Sequence, residues 1–223
     1  MKTTDYYLNI LSSIKKTTDP LNPPVESFEK SIRSTPLRIL ISILISSRTK
    51  DKVTMGASER LFSIADTPEK ILNLGEKKVS ELIYPVGFFR QKARNIIKIA
   101  GYLHHSGNKI SSDFNKLIEL PGVGRKTANL IRSLAFGIPS ISVDIHVFRI
   151  SKRLGWASGD KPEIVEKELK DILPKNLWNR VNRVLVGFGQ TICKPVNPSC
   201  NLCKITDECD FFKSGKNPTK IND

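Results

Sequence analysis

The chain has 223 residues, 39% hydrophobic and 26% charged, a composition that can bury a core and excludes disordered and collagen-like chains. Its longest apolar run, 37–45, contains Arg38 and Ser42 and falls well short of the roughly 20 residues a membrane helix needs. Lys and Arg number 36 against 22 Asp and Glu, a formal net charge of +14, which favours polyanionic partners, nucleic acid first and an acidic membrane surface second.

The pattern along the chain is almost entirely helical, and alternating runs long enough for strands are missing. Residues 1–6 lack the apolar stretch of a secretory signal. Segment 37–48 is apolar on nearly every face and predicts a buried helix. Asp66-Thr67-Pro68-Glu69 has capping-box spacing and an early proline, so a helix is expected to start there. Residues 89–103 place Phe89, Ala93, Ile96, Ile97 and Ala100 at helical spacing, with Arg90, Lys92, Arg94 and Lys98 assigned to the opposite, solvated face. Ser112 and Asp113 open a short helix that stops at Leu120-Pro121, and 125–136 continues as a second one. Asp144 is placed to cap a helix reaching Leu154. Capping-box spacing recurs at Asp160–Glu163, ahead of a helix over 164–173. The last long helix is expected over 175–190, and the polar tail 213–223 is expected to fray.

Chemistry concentrates in four places. In Leu120-Pro121-Gly122-Val123-Gly124-Arg125-Lys126-Thr127, two glycines make a sharp turn between helices. The unpaired amides of the second helix then suit a DNA phosphate, although an ordinary helix–helix turn explains the same letters. Lys126 in the first helical turn, beside Arg125, opposes the helix dipole. That field favours a neutral, nucleophilic amine, and a solvated lysine that meets phosphate as a point charge is the simpler alternative.

Ser142-Val143-Asp144-Ile145-His146 offers Asp144 either as an N-cap or as a carboxylate assisting an amine and a cationic sugar. Its spacing of 18 residues from Lys126 is one helix plus a turn. From 121 to 155 Asp144 is the sole acid among Arg125, Lys126, Arg132, Arg149, Lys152 and Arg153, a pattern suited to a duplex-binding face.

Cys193, Cys200, Cys203 and Cys209 lie within 17 residues, which suits a metal site better than a disulfide framework. Only Cys200 and Cys203 form a two-residue knuckle, which tilts the reading from zinc towards an iron–sulfur cluster.

Together these motifs resemble the endonuclease III family of helix-hairpin-helix DNA glycosylases, over about Pro36 to Cys209. Residues 120–129 resemble the family hairpin, 142–146 its catalytic-aspartate segment, and the 6-2-5 cysteine spacing its [4Fe–4S] loop. The resemblance implies an all-α chain of two helical domains flanking a DNA-binding cleft: a six-helix domain over 28–138, and a cluster domain joining 1–27 to 139–223. It implies Lys126 as the nucleophile, Asp144 as the catalytic aspartate, and Gly122, Val123, Gly124, Arg125, His146 and Lys194 at the DNA. Arg48 stands where bacterial members usually carry a glutamine that fills the gap left by a flipped nucleotide. Phe88 falls where the family inserts an apolar wedge, though a buried turn residue is the alternative there.

The implied activity is a bifunctional DNA glycosylase and AP lyase, a monomer of the cytoplasm or nucleoid acting on double-stranded DNA with damaged bases or abasic sites. A monofunctional mismatch, uracil or thymine glycosylase is the alternative enzyme, and its relatives usually carry Ser or Tyr at the position of Lys126. A non-catalytic iron–sulfur DNA-binding protein and a zinc-ribbon module complete the alternatives.

Overall fold

The computed structural model describes residues 2–32 and 35–215. Residues 216–223, most of the tail expected to fray, lie outside the described residues. Among the described residues the secondary structure is helical throughout, without strands. The chain divides into two compact units, Phe28–Ile138 and a discontinuous one of Met1–Ser27 with Pro139–Asp223.

In the discontinuous unit α1 spans Thr4–Thr18, capped by the Thr3 side chain, which accepts from the Tyr6 amide. The next helix, α2 (Pro24–Ile32), carries the chain onward: Val25 belongs to this unit's core, Phe28 and Ile32 to the other.

The Phe28–Ile138 unit is built around α3 (Pro36–Ser46). Leu40, Ile41 and Ile45 of this helix are fully enclosed, each contributing about 1.5–3 kcal/mol by burial. The helix stops two residues before the apolar pattern suggests, because Ser47 turns extended and Arg48 takes a φ of 53°. Then come α4 (Asp51–Phe62), α5 (Pro68–Ile83), α6 (Phe89–His105), α7 (Phe114–Ile118) and α8 (Arg125–Phe136). Thr67, not Asp66, caps α5: its side chain accepts from the Lys70 amide, while Asp66 pairs with the Lys70 ammonium. Gly75, at φ 71°, breaks the regularity of α5.

Lys92 is not on a solvated face; it is only 6% exposed. Positions 89, 92, 93 and 96 share one stripe at i, i+3, i+4 and i+7, so Lys92 faces inward with Ala93 and Ile96.

The rest of the discontinuous unit packs α9 (Ile145–Arg153) and α10 (Pro162–Ile172) with α11 (Trp178–Thr191), which also lies along α1. A single 3₁₀ turn, Lys175–Leu177, precedes α11, so the expected helix begins three residues late. Asp160 does not cap α10; Lys161 holds that position without a side-chain bond. A short α12 (Asp210–Lys213) ends the described chain.

Candidate DNA-binding and catalytic site

The Gly hairpin folds as the spacing predicts. Asp113 caps α7 by accepting from the Lys116 amide at 3.0 Å. The turn closes through the Val123 amide on the Leu120 carbonyl at 3.0 Å, with Val123 buried and both glycines exposed. Gly122 has φ +81°, and a Cβ there would fall 2.5 Å from Asn95 Nδ2 and 2.9 Å from Leu44 Cδ1. Gly122→Ala is therefore expected to cost about 1–3 kcal/mol, read as a lower denaturation midpoint at unchanged m-value.

Gly124 takes the N-cap of α8 and offers no capping side chain. Lys126 is exposed in that first turn, and Arg125 lies over the Phe114 ring, 5.2 Å from its centre.

Asp144 is the N-cap of α9. Its Oδ1 accepts from the amides of His146 at 2.9 Å and Val147 at 2.8 Å, leaving Oδ2 outside the cap. The segment leading to it is buried from Ser140 to Val143. Two asparagines of α11 anchor it: Asn179 accepts from the Ser140 amide at 2.9 Å, and Asn182 donates to the Ser142 carbonyl at 3.0 Å. His146 Nδ1 accepts from Arg149 Nη2 at 3.2 Å; a guanidinium only donates, so the ring proton belongs on Nε2. The ring packs so closely on α11 that a Cβ at Gly189 would lie 2.4 Å from Nδ1.

Arg48 and Phe88 belong to neighbouring turns. Phe88 is 63% exposed, which removes the buried-turn alternative, and it sits at φ 57° ahead of α6. The Arg48 guanidinium lies over its ring, 5.6 Å from the centre. Burial pushes the nearby Lys92 down to about 8.

Cys193, Cys200, Cys203 and Cys209 line one pocket with Ile150, Leu154, Phe188 and Ile205. Burial pushes the Cys203 thiol up to about 11 and raises Cys209, with the neighbouring sulfurs adding to the rise. Among the described residues no three Cys, His, Asp or Glu side chains converge tightly enough to hold one metal ion. A tetrahedral zinc needs its thiolates on a single atom, whereas a [4Fe–4S] cube takes each thiolate on a different iron. Four thiols lining one apolar pocket are the kind of donor set a [4Fe–4S] cluster takes, one thiolate to each iron.

Two arginines that sequence reading counted only as basic charge hold this loop. Arg153 Nη1 lies 3.2 Å from Cys193 Sγ and donates to the Lys194 carbonyl at 2.7 Å; its Nη2 reaches the Pro195 carbonyl at 3.1 Å. Arg149 Nη2 donates to the Cys193 carbonyl at 2.9 Å, tying the helix that Asp144 caps to the first cysteine. Lys194 itself is exposed.

Comparison with known proteins places the chain in its class. Residues 41–175 match the family described as HhH-GPD superfamily base excision DNA repair protein. The chain is 40% identical over 191 residues to endonuclease III of Thermotoga maritima, covering 85% of this chain and 90% of that one. It is 40% identical over 192 residues to the enzyme of Rickettsia conorii, covering 86% and 90%. A solved structure of a trapped endonuclease III–DNA covalent intermediate superposes with a TM-score of 0.83 at 32% identity, covering 97% of this chain and all of that one.

The chain belongs to the endonuclease III family of the HhH-GPD superfamily. These are DNA glycosylases with AP lyase activity that work in base excision repair, and they generally carry an iron–sulfur cluster.

Proposed function

We propose that the protein binds double-stranded DNA as a monomer on nucleoid DNA, removes oxidised pyrimidines through a Schiff base on Lys126, and cuts the strand 3′ to the lesion. The observation that carries this reading is an exposed lysine in the first turn of α8, directly after the Gly122–Gly124 turn. It is supported by the similarity to an endonuclease III captured as a covalent DNA intermediate.

The damaged nucleotide leaves the stack, because the base edge and sugar are blocked within it. Phe88 and Arg48 enter the duplex, an apolar wedge and a cation filling the vacated space. The amides that open α8, with Arg125, hold a backbone phosphate next to the lesion. Lys126 Nζ attacks C1′; the new C–N bond forms as the glycosidic bond breaks, and the base leaves as an anion that water protonates. The Asp144 carboxylate stabilises the cationic sugar while the glycosidic bond breaks; it then takes a proton from the new C1′-bound ammonium and returns it to O4′ as the C1′–O4′ bond opens. Ring opening at the C1′–O4′ bond gives the protonated Schiff base. Loss of a C2′ proton then expels the 3′-phosphate, and water returns Lys126 to the free amine.

Cys193, Cys200, Cys203 and Cys209 would hold the [4Fe–4S] cluster, which supplies a fixed scaffold for the 194–199 loop and no bond-making step. Lys194 on this loop and Lys204, next to Cys203, are exposed and suited to phosphate contact.

The test is excision from duplexes carrying thymine glycol, uracil or thymine opposite guanine, or an abasic site. Base release with strand scission on thymine glycol, and scission at the abasic site, are the expected results. Base release with an intact backbone would move the protein to the monofunctional class. Broad visible absorption of the purified protein, which zinc lacks, reports the cluster in the same preparation.

A further inference from the structure

The turns that carry Arg48 and Phe88 are joined from inside by a cation. Lys92 Nζ donates to the Ile45 carbonyl at 2.7 Å, to the Ser47 carbonyl, and to Thr49 Oγ1 at 3.2 Å. An ammonium has three protons, and here each has an acceptor on the chain running from the end of α3 into the Arg48 turn. Thr49 Oγ1 also accepts the Gly87 amide at 3.2 Å, so one hydroxyl is shared by both turns. The backbones meet there: a Cβ on Gly87 would lie 2.8 Å from the Arg48 carbonyl oxygen. On the far side Arg60 holds the same turn, Nε donating to the Leu82 carbonyl at 2.8 Å and Nη2 to the Tyr84 carbonyl.

What is held in place is strained. Arg48 and Phe88, both bulky, sit in the left-handed region at φ 53° and 57°, a conformation costing of order 1–3 kcal/mol per residue. Neither recovers that cost in the core, since both side chains are exposed. Strain concentrated on two adjacent exposed residues, over-determined from beneath by buried hydrogen bonds, marks a preorganised contact surface.

We propose that Lys92 and Thr49 form an internal staple that locks the Arg48 and Phe88 turns into one rigid wedge, and that this rigidity sets how efficiently the enzyme opens the duplex at a lesion. The inference rests on the reading of Arg48 and Phe88 as inserting residues. Both staple members are positioning residues, acting through the side chains they hold.

The test uses the full-length, cluster-loaded enzyme with Lys92→Met, Thr49→Val, Thr49→Ser and Phe88→Ala. Single-turnover excision of thymine glycol is expected to slow by about 10–100-fold in Lys92→Met and Thr49→Val, the range that misplacement of a positioned group produces. Cleavage at a preformed abasic site should change by less than about threefold, because no base remains to be extruded. Thr49→Ser, which keeps the hydroxyl, should excise at the native rate. Adding Phe88→Ala to Lys92→Met should cost little more, since both act through one wedge. Hydrogen exchange at the Gly87 amide should quicken in Lys92→Met and Thr49→Val.

Native excision rates in both staple variants, with Phe88→Ala slow, would overturn the proposal. So would equal losses of excision and abasic-site cleavage, which are the mark of a purely structural role. Native excision by Phe88→Ala would remove the insertion reading and the proposal with it, and Gly87 exchange in Thr49→Val would still report whether the staple itself exists.

Discussion

Lys126→Ala is expected to lose thymine glycol excision and abasic-site cleavage together, each by at least about 10³-fold, while duplex affinity falls less than tenfold. The two losses coincide because one amine makes the bond to C1′ in both reactions. Affinity survives because the hairpin amides, Arg125 and the surrounding cations, which supply most phosphate contacts, are untouched. Stability should hold as well: Lys126 is exposed, and alanine is a better helix former than lysine. Single-turnover kinetics on both substrates, with a gel-shift titration at fixed salt, check the prediction. A tenfold loss in affinity with intact turnover at saturation would instead make Lys126 a phosphate contact.

Asp144 is where a structural and a chemical role coincide, and two substitutions separate them. Asn caps a helix as well as Asp does, so Asp144→Asn should preserve the bonds to the His146 and Val147 amides and leave the melting temperature near native. It removes the charge, and excision should fall by about 10²–10⁴-fold, the range for a lost general base. Asp144→Ala should show the same kinetic loss and in addition destabilise the protein by about 1 kcal/mol, because α9 loses its cap. Native excision by Asp144→Asn would reduce Asp144 to a cap.

Much of this site was legible as local chemistry. A glycine pair between two helical patterns has few ways to fold, and a short carboxylate ahead of a helical stripe has one common job. The helix over Arg125–Phe136 and the Asp144 cap accordingly stand where spacing places them. Cap assignment was less secure where several capping residues stand in a row: at Asp66-Thr67 the chain uses the threonine and spends the aspartate on Lys70.

What escaped was tertiary. Lys92 reads as surface because lysine is rarely buried unpaired, yet its acceptors are carbonyls and a hydroxyl from the end of α3 and the turn beyond, more than 40 residues earlier in sequence. Its place on the apolar stripe with Phe89, Ala93 and Ile96 was the available signal, and residue type outweighed position. Arg149 and Arg153 escaped for the same reason, since their partners are carbonyls and a thiol of the cysteine loop, some 40 residues onward. Net charge along a segment does not distinguish a cation that meets DNA from one that braces the loop beside it.

The proposed chemistry stands on Lys126 as the nucleophile of a Schiff-base lyase. Borohydride trapping on a duplex carrying an abasic site, followed by peptide mapping of the adduct, tests it most directly. Borohydride reduces the imine to a stable secondary amine, so one covalent protein–DNA species is expected, mapped to Lys126 and absent from Lys126→Ala. No adduct from folded, DNA-binding protein, or an adduct that persists in Lys126→Ala, would contradict it.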